Sequence, residues 1–363
     1  MKLQVTQENL NRALGTVARV ANTRNALPIL ANVLIKASQN QLSISATNLD
    51  IAITEYCGAK VSNEGSITVP ARLMQDFISN LPSGIIELTL DENKLHIKTD
   101  QYNSVINGVL ADDFPVMPAI TDGKKWTLPA AQLKKALQQV IFAASSDQTR
   151  PVLTGILLHV VEGVAYMAST DSHRLAEKNL GKTKKDYSLL IPATAMQDLL
   201  RIVGDVEGDV QITNDEQQVL FQAGDVELVA RLIDAKYPDY RRLIPEKFAV
   251  TANVKRADLV NLTKVSSLFA RESAGSITIN VDEADQTISV RSIASQLGEN
   301  TSTASGTIKG TGGITLNSRY LLDALQALNG ETVDFCFNGK LEAVLVRDPA
   351  AADYVHIIMP LKS

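Results

Sequence analysis

The sequence predicts an α+β chain of three similar domains, each with two helices packed on antiparallel sheets. Three observations carry this expectation. Landmark segments recur at one spacing. Helical apolar periodicity follows each landmark strand. Short alternating or apolar runs bounded by turn residues fill the rest.

The spacing comes first. Leu27-Pro28-Ile29-Leu30-Ala31-Asn32 aligns with Arg150-Pro151-Val152-Leu153-Thr154-Gly155, and the two prolines are 123 residues apart. Ser45-Ala46-Thr47-Asn48-Leu49-Asp50 aligns with Ala168-Ser169-Thr170-Asp171-Ser172-His173 at the same offset. A second landmark occurs three times, at Ile67–Phe77, Leu189–Leu199 and Ile314–Ala324, with Pro70, Pro192 and Asn317 separated by 122 and 125 residues. Asp113-Phe114-Pro115 and Lys236-Tyr237-Pro238 are again 123 apart. Independent landmarks sharing one period divide the 363 residues into domains 1–123, 124–246 and 247–363. Gly123-Lys124-Lys125 and Pro245-Glu246-Lys247 read as linkers.

Each repeat is itself doubled into strand, helix and strands. Leu10, Leu14, Val17 and Ala21 recur at helical spacing, as do Leu133, Leu137, Val140 and Ala144, and Leu259, Leu262, Val265 and Phe269. Six helical segments follow: 7–21, 71–80, 130–143, 193–203, 255–270 and 317–328. Thr6 suits an N-cap, and Pro70, Pro129 and Pro192 stand where helices begin. Strands are expected at Gln41–Ser45, Ile51–Tyr56, Ile85–Leu90, Lys94–Lys98, Val219–Ala223, Glu227–Leu232, Val333–Phe337 and Ala343–Val346, with turns at Glu92-Asn93 and Asn338-Gly339.

Composition excludes several classes. Apolar residues are 45% and charged residues 21% of the chain, ordinary for a globular protein. No apolar run reaches the roughly 20 residues that span a bilayer, and the N-terminus lacks a signal-peptide core, so a cytoplasmic location is expected. Cys57 and Cys336 form no metal-ligand spacing and read as buried apolar residues. No metal or cofactor is expected. Asp171, Ser172 and His173 are the residue types of a hydrolytic triad, but consecutive residues do not converge on one another, and no G-x-S-x-G elbow is present. Gly310-Thr311-Gly312-Gly313 lacks the Lys-Ser/Thr of a phosphate loop and reads as a turn.

Charge is distributed unevenly. The chain carries −5 overall, which argues against bulk attraction to nucleic acid. The six helical segments nevertheless hold ten basic residues (Arg12, Arg19, Arg72, Lys134, Lys135, Arg201, Lys255, Arg256, Lys264 and Arg319) against five acidic ones. Basic helices in an acidic chain suit a surface facing phosphates without base readout. Two copies would supply twelve helices; at about 10 Å between axes these span a circle of about 120 Å, leaving about 28 Å clear. A duplex of about 20 Å fits through it.

The segments Leu27-Pro28-Ile29-Leu30, Val69-Pro70-Ala71-Arg72, Asp112-Asp113-Phe114-Pro115, Thr170-Asp171-Ser172-His173-Arg174-Leu175-Ala176, Tyr237-Pro238-Asp239-Tyr240-Arg241-Arg242-Leu243-Ile244-Pro245 and Met359-Pro360-Leu361-Lys362 carry a resemblance that covers the whole chain. They resemble the bacterial sliding clamp family, the beta subunits of DNA polymerase III. The resemblance implies a non-catalytic processivity factor: a head-to-tail homodimer closing into a six-domain ring around double-stranded DNA. Its implied partners are the DNA polymerase III alpha subunit, the clamp loader and other clamp-motif proteins, with no membrane partner.

The resemblance also assigns residues. A peptide-binding pocket would be lined by Leu153, Thr170, Ser172, His173, Arg174, Leu175, Pro238, Arg242, Leu243, Asn317, Tyr320, Leu341, Met359, Pro360 and Leu361. Arg24 and Arg150 would face DNA with the basic helix residues. The dimer contact would fall on the strand Asn103–Val109, with Ile106, and on Leu268 and Phe269. Pro151-Val152 stands where some relatives carry two tyrosines.

Overall fold

The structure, a computed structural model, describes residues 1–21, 27–115, 120, 122–204, 206–294 and 298–361. It divides into two compact units, residues 1–133 with 197–232, and residues 134–196 with 233–363.

The first unit contains two antiparallel sheets. The five-stranded sheet has the order β5 (Lys60–Asn63), β1 (Lys2–Thr6), β7 (Ile85–Asp91), β8 (Lys94–Lys98), β9 (Asn103–Asn107). The eight-stranded sheet runs β10 (Lys124–Pro129), β15 (Asp209–Asn214), β16 (Gln218–Ala223), β17 (Val226–Arg231), β4 (Ile51–Gly58), β3 (Gln41–Thr47), β2 (Asn32–Ser38), β6 (Gly65–Pro70). Helices α1 (Gln7–Val17) and α2 (Ala71–Ser79) pack together, and α1 buries Leu10, Ala13, Leu14 and Val17 at helical spacing. The Thr6 hydroxyl accepts from the Asn9 amide at 3.3 Å, the expected N-cap.

The second unit holds one twelve-stranded antiparallel sheet: β14 (Ser188–Pro192), β11 (Gly155–Val161), β12 (Val164–Thr170), β13 (Arg174–Lys182), β25 (Tyr354–Ile358), β24 (Val344–Arg347), β23 (Thr332–Phe337), β18 (Val250–Lys255), β21 (Gly298–Lys309), β20 (Thr287–Ala294), β19 (Ser276–Asp282), β22 (Gly312–Asn317). Helices α5 (Arg256–Phe269) and α6 (Ser318–Ala327) pack on each other. The residues of α3 (Ala130–Val140) and α4 (Ala193–Ile202) are shared between the two units.

Sheets continue from one repeat into the next, a feature the repeat pattern did not predict. β17 pairs with β4, and β13 pairs with β25, so a strand of each repeat completes a sheet of its neighbour. Pro70, Pro129 and Pro192 stand directly before α2, α3 and α4, where helices were expected to begin, and each also ends a strand, because proline's fixed φ suits an extended exit as well as a helical entry. Two sequence expectations are corrected in detail. Lys124 and Lys125 belong to β10 and are not linker. Gly312 and Gly313 lie in β22, leaving the turn to Gly310, whose φ of +80° requires glycine.

Candidate functional site

The pocket residues gather in the second unit around the turn between β12 and β13. The Thr170 hydroxyl donates to the Arg174 carbonyl at 2.6 Å and accepts from the Ser172 amide at 3.1 Å. Asp171 Oδ1 accepts from the His173 and Arg174 amides, each at 2.9 Å. These bonds hold Ser172 at φ +75° and leave its side chain and that of His173 exposed. The Met359 amide donates to the His173 carbonyl at 2.8 Å, and the Leu361 amide to the Thr315 carbonyl at 2.9 Å, fixing the C-terminal segment beside the turn.

Under the turn lies an apolar cluster. Leu157, Leu175, Tyr240, Leu345 and Ile357 are buried in it, with Val152, Tyr237, Ile244 and Ala343 packed against them. Leu153 and Thr170 are buried nearby in sequence, whereas Leu243, at 58% exposure, Met359 and Leu341 present apolar surface to solvent. Pro238 is exposed, and Pro360 and Leu361 are half-buried. Leu341 sits on the loop before Ala343. Exposed side chains above a buried apolar floor suit a short apolar anchor.

Arg174 is the charged centre. Its side chain is only 10% exposed; Nε donates to Asp171 Oδ2 at 3.0 Å and NH1 to Asp323 Oδ2 at 2.6 Å. The guanidinium lies 4.6 Å from the Tyr320 ring centroid and 5.4 Å from that of Phe142. His173 stacks on Tyr320. Asn317 caps α6, its Oδ1 accepting from the Arg319 and Tyr320 amides. Arg242 is different: its side chain is 83% exposed, and it pairs with Asp239 at the surface.

Behind the pocket a polar network fixes Tyr240. Its hydroxyl donates to Glu177 Oε2 at 2.7 Å and meets His159 Nε2 at 2.8 Å, while Arg241 pairs with Glu177 and lies over the Tyr166 ring. Burial, and then the Glu177 charge, push the Tyr240 pKa up. Burial, helped by the Arg241 charge, lowers His159 to about 4. Asp171 and Asp323 as partners of Arg174, and the Tyr240 network, were missed in the sequence. Asp171 had a signal in its place before Ser172-His173-Arg174; Asp323 had none beyond lying one helical turn after Tyr320.

The candidate DNA-facing residues divide in two. Arg72, Lys135, Arg150, Lys255 and Lys264 are exposed, and Lys134 is half-buried. In the first unit Arg12, Arg19 and Arg201 line a cleft of about 510 Å³ with Glu55, Asp198, Glu207 and Asp225. Arg12 pairs with Glu55 at 2.9 Å and Arg201 with Asp198 at 2.7 Å. The positive balance of the helices is therefore partly offset by carboxylates outside them, Glu55 on β4 among them. Arg256 is a correction: its Nε donates to the Gly330 carbonyl at 2.9 Å and its NH1 reaches the Leu325 carbonyl, so it satisfies carbonyls at the end of α6 rather than meeting a ligand. Arg24 lies outside the described residues.

The dimer candidates also divide. Leu268 is exposed and Phe269 half-buried on α5. Ile106 is 6% exposed and faces its own core, because side chains alternate along β9 and the outward one is Val105. Among the described residues no cluster of His, Cys, Asp or Glu could hold a metal ion, and no helix is long and apolar enough to cross a membrane.

Comparison with known proteins matches three family models in order. They are the N-terminal domain of the DNA polymerase III beta subunit at residues 1–118, its central domain at 127–239 and its C-terminal domain at 241–362. A beta sliding clamp of Synechocystis sp. is 31% identical, covering 100% of this chain and 99% of the relative. The solved sliding clamp of Bacillus subtilis is similar with a TM-score of 0.95 at 28% identity, covering 100% and 99%. A Pseudomonas aeruginosa clamp bound to griselimycin has a TM-score of 0.95 at 25% identity, with both chains fully covered.

Proposed function

The chain belongs to the DNA polymerase III beta subunit family, and on that premise we propose that two copies close head to tail into a six-domain ring on double-stranded DNA. It functions as a DNA sliding clamp, a replication processivity factor. In this reading it catalyses no reaction, works in the cytoplasm and tethers partners (the polymerase alpha subunit, the clamp loader, other clamp-motif proteins) through the pocket around Leu175, Leu243 and Met359. The three domains are 1–123, 124–246 and 247–363.

One observation carries the ring: two strand edges are left unpaired where two equivalent edges are joined. At the β17–β4 joint the Arg231 amide donates to the Asp50 carbonyl at 2.8 Å and the Tyr56 amide to Asp225 at 2.9 Å. At the β25–β13 joint Met359 and Asn179 make the matching bonds, to His173 at 2.8 Å and Asp353 at 2.7 Å. Among the described residues β9, the counterpart of β17, pairs only with β8, and residues 298–305 of β21, the counterpart of β4, pair only with β20. Bonds from Thr99 to Tyr102 and from Gly108 to Asn93 turn Tyr102, Ser104 and Ile106 inward, so Asn103, Val105 and Asn107 offer their backbone outward. The Gly306–Gln286 bond likewise turns Glu299, Thr301 and Thr303 outward. Carrying the register of the first joint across places Val105 opposite Glu299 of the partner subunit, and Asn103 opposite Thr301 of the partner subunit. Such an edge invites pairing unless it is covered.

For DNA, Arg72, Lys135, Arg150, Lys255 and Lys264 supply exposed positive charge suited to sequence-independent phosphate contact. Light scattering should give twice the 39.2 kDa of one chain. The dimer should stay on nicked circular DNA and be lost when the circle is cut. A stable single-chain mass, or equal retention on linear DNA, would overturn the ring.

A further inference from the structure

The first unit repeats the architecture of the peptide pocket at its own joint. The Thr47 hydroxyl donates to the Ile51 carbonyl at 3.0 Å and accepts from the Leu49 amide at 3.1 Å; Asn48 Oδ1 accepts from the Asp50 and Ile51 amides. Leu49 stands at φ +78°. These are the bonds of the Thr170–Arg174 turn, displaced by 123 residues. Beside this turn a cavity of about 360 Å³ opens, within the roughly 300–1,000 Å³ range of ligand sites. Its apolar lining includes Leu34, Ala52, Leu220 and Val229. By strand register these occupy the places of Leu157, Leu175, Leu345 and Ile357 in the second unit. Phe114, Pro115 and Ile120, also in the lining, match Tyr237, Pro238 and Leu243 at the same 123-residue offset.

The side chains differ in two ways. Smaller residues at two floor positions, Ala52 for leucine and Val229 for isoleucine, leave room under the turn. The carboxylate also changes strand: Thr54, opposite Glu227, stands where the second unit has Glu177 opposite Val355, and Glu177 is paired with Arg241. Glu227 lies in the lining, hydrogen-bonded by Tyr56 at 3.2 Å and Gln222 at 2.9 Å, where the second unit has Val355. Asp50 replaces His173, and Asp112 and Asp113 replace Ala235 and Lys236. Arg231, in the place of Met359, is the one cation among these positions.

We propose that this cavity is a second peptide site, which takes a short segment carrying an apolar side chain next to lysine or arginine. The apolar group fills the space over Val229 and the cation faces Glu227. The choice of a peptide as occupant rests on the reading of the second unit's pocket; the cavity and its charge do not.

The test uses the full chain and a fluorescein-labelled, C-amidated peptide, Gly-Lys-Leu-Phe-Lys-Gly, followed by fluorescence anisotropy. Saturable binding is expected. Val229→Trp fills the cavity and should abolish it. Glu227→Gln, and separately a peptide with both lysines replaced by glutamate, should each weaken it about fivefold. Leu243→Asp, in the other pocket, should leave it within about twofold. The absence of saturable binding to the unaltered chain overturns the proposal. So does binding that survives Val229→Trp or is lost with Leu243→Asp, the latter meaning that the peptide sits in the second unit. If Val229→Trp does not fold, Glu227→Gln and the glutamate peptide decide. Capture of clamp-motif peptides is measured on the Leu243→Asp chain by itself, so failure of that pocket is separately visible.

Discussion

Replacing Arg174 with methionine should loosen the pocket turn and leave its copy in the first unit untouched. Arg174 bridges Asp171 and Asp323 from a site where the three side chains are 10%, 14% and 27% exposed. Removing one member of a buried ion pair costs about 3–5 kcal/mol, because the remaining charge loses its partner. Both carboxylates keep some access to water, and methionine refills part of the space between Tyr320 and Phe142, so the low end applies. About 3 kcal/mol corresponds to roughly 100-fold in a local opening equilibrium. Hydrogen exchange read by mass spectrometry on the full chain measures this directly. Protection of residues 170–178 should fall about 100-fold; residues 47–55, which make the same turn with Ile51 in place of the arginine, should change by less than about twofold. Arg174→Lys should fall between, since an ammonium cannot span both carboxylates with a planar fork. Unchanged protection at 170–178 would refute the claim that the bridge holds the turn. Equal loss in both segments would mean global destabilisation instead.

Three further outcomes are expected. Val105→Pro removes an outward backbone N–H that has no partner among the described residues, so the solution mass should fall to that of a single chain with the fold intact. Ile106→Ala should leave the mass unchanged and lower stability by about 2–5 kcal/mol, as a core truncation does. Acid should destabilise the second unit. Burial, with the Arg174 charge adding to it, holds His356 at about 3, and burial with Arg241 holds His159 at about 4; both start from 6.5. A histidine kept neutral in the fold takes up its proton on unfolding, so this contribution is complete above pH 6.5 and is lost as pH falls toward 3. The urea midpoint should therefore drop between pH 7 and 5, and His356→Phe should flatten the drop.

The repeat was legible because prolines, capping residues and the turns opened by Thr47-Asn48 and Thr170-Asp171 recur at a fixed offset, and local chemistry writes those directly into sequence. Thr6 is an N-cap for reasons visible within four residues, and helix ends fell within a few residues of their expected places. Pairing between repeats was not legible. β17 meets β4 across more than 170 residues, and nothing in either strand names its partner; apolar alternation says which face is buried, not which edge is joined. Ile106 shows a subtler limit. Val105-Ile106 is an apolar pair, so alternation alone leaves open which of the two points inward. Arg256 and Arg12 looked free because their partners, the carbonyls at the end of α6 and the Glu55 carboxylate on β4, are remote in sequence.

The joints also explain why three repeats are not self-sufficient. Each joint consumes one edge from each of two neighbouring repeats. A chain of three repeats makes two joints and must finish with one edge unused at each end; among the described residues these are β9 and residues 298–305 of β21. Because the two leftover edges differ, their pairing is heterologous, and a heterologous contact either closes a ring or grows without limit. Closure removes every such edge; open growth does not. Solution mass therefore decides between the two. A discrete dimer over a wide concentration range means that the second copy brings its edges back to the first. A mass that climbs with concentration would mean that the same backbone pairing is present but does not close, and the chain would then be unable to hold circular DNA.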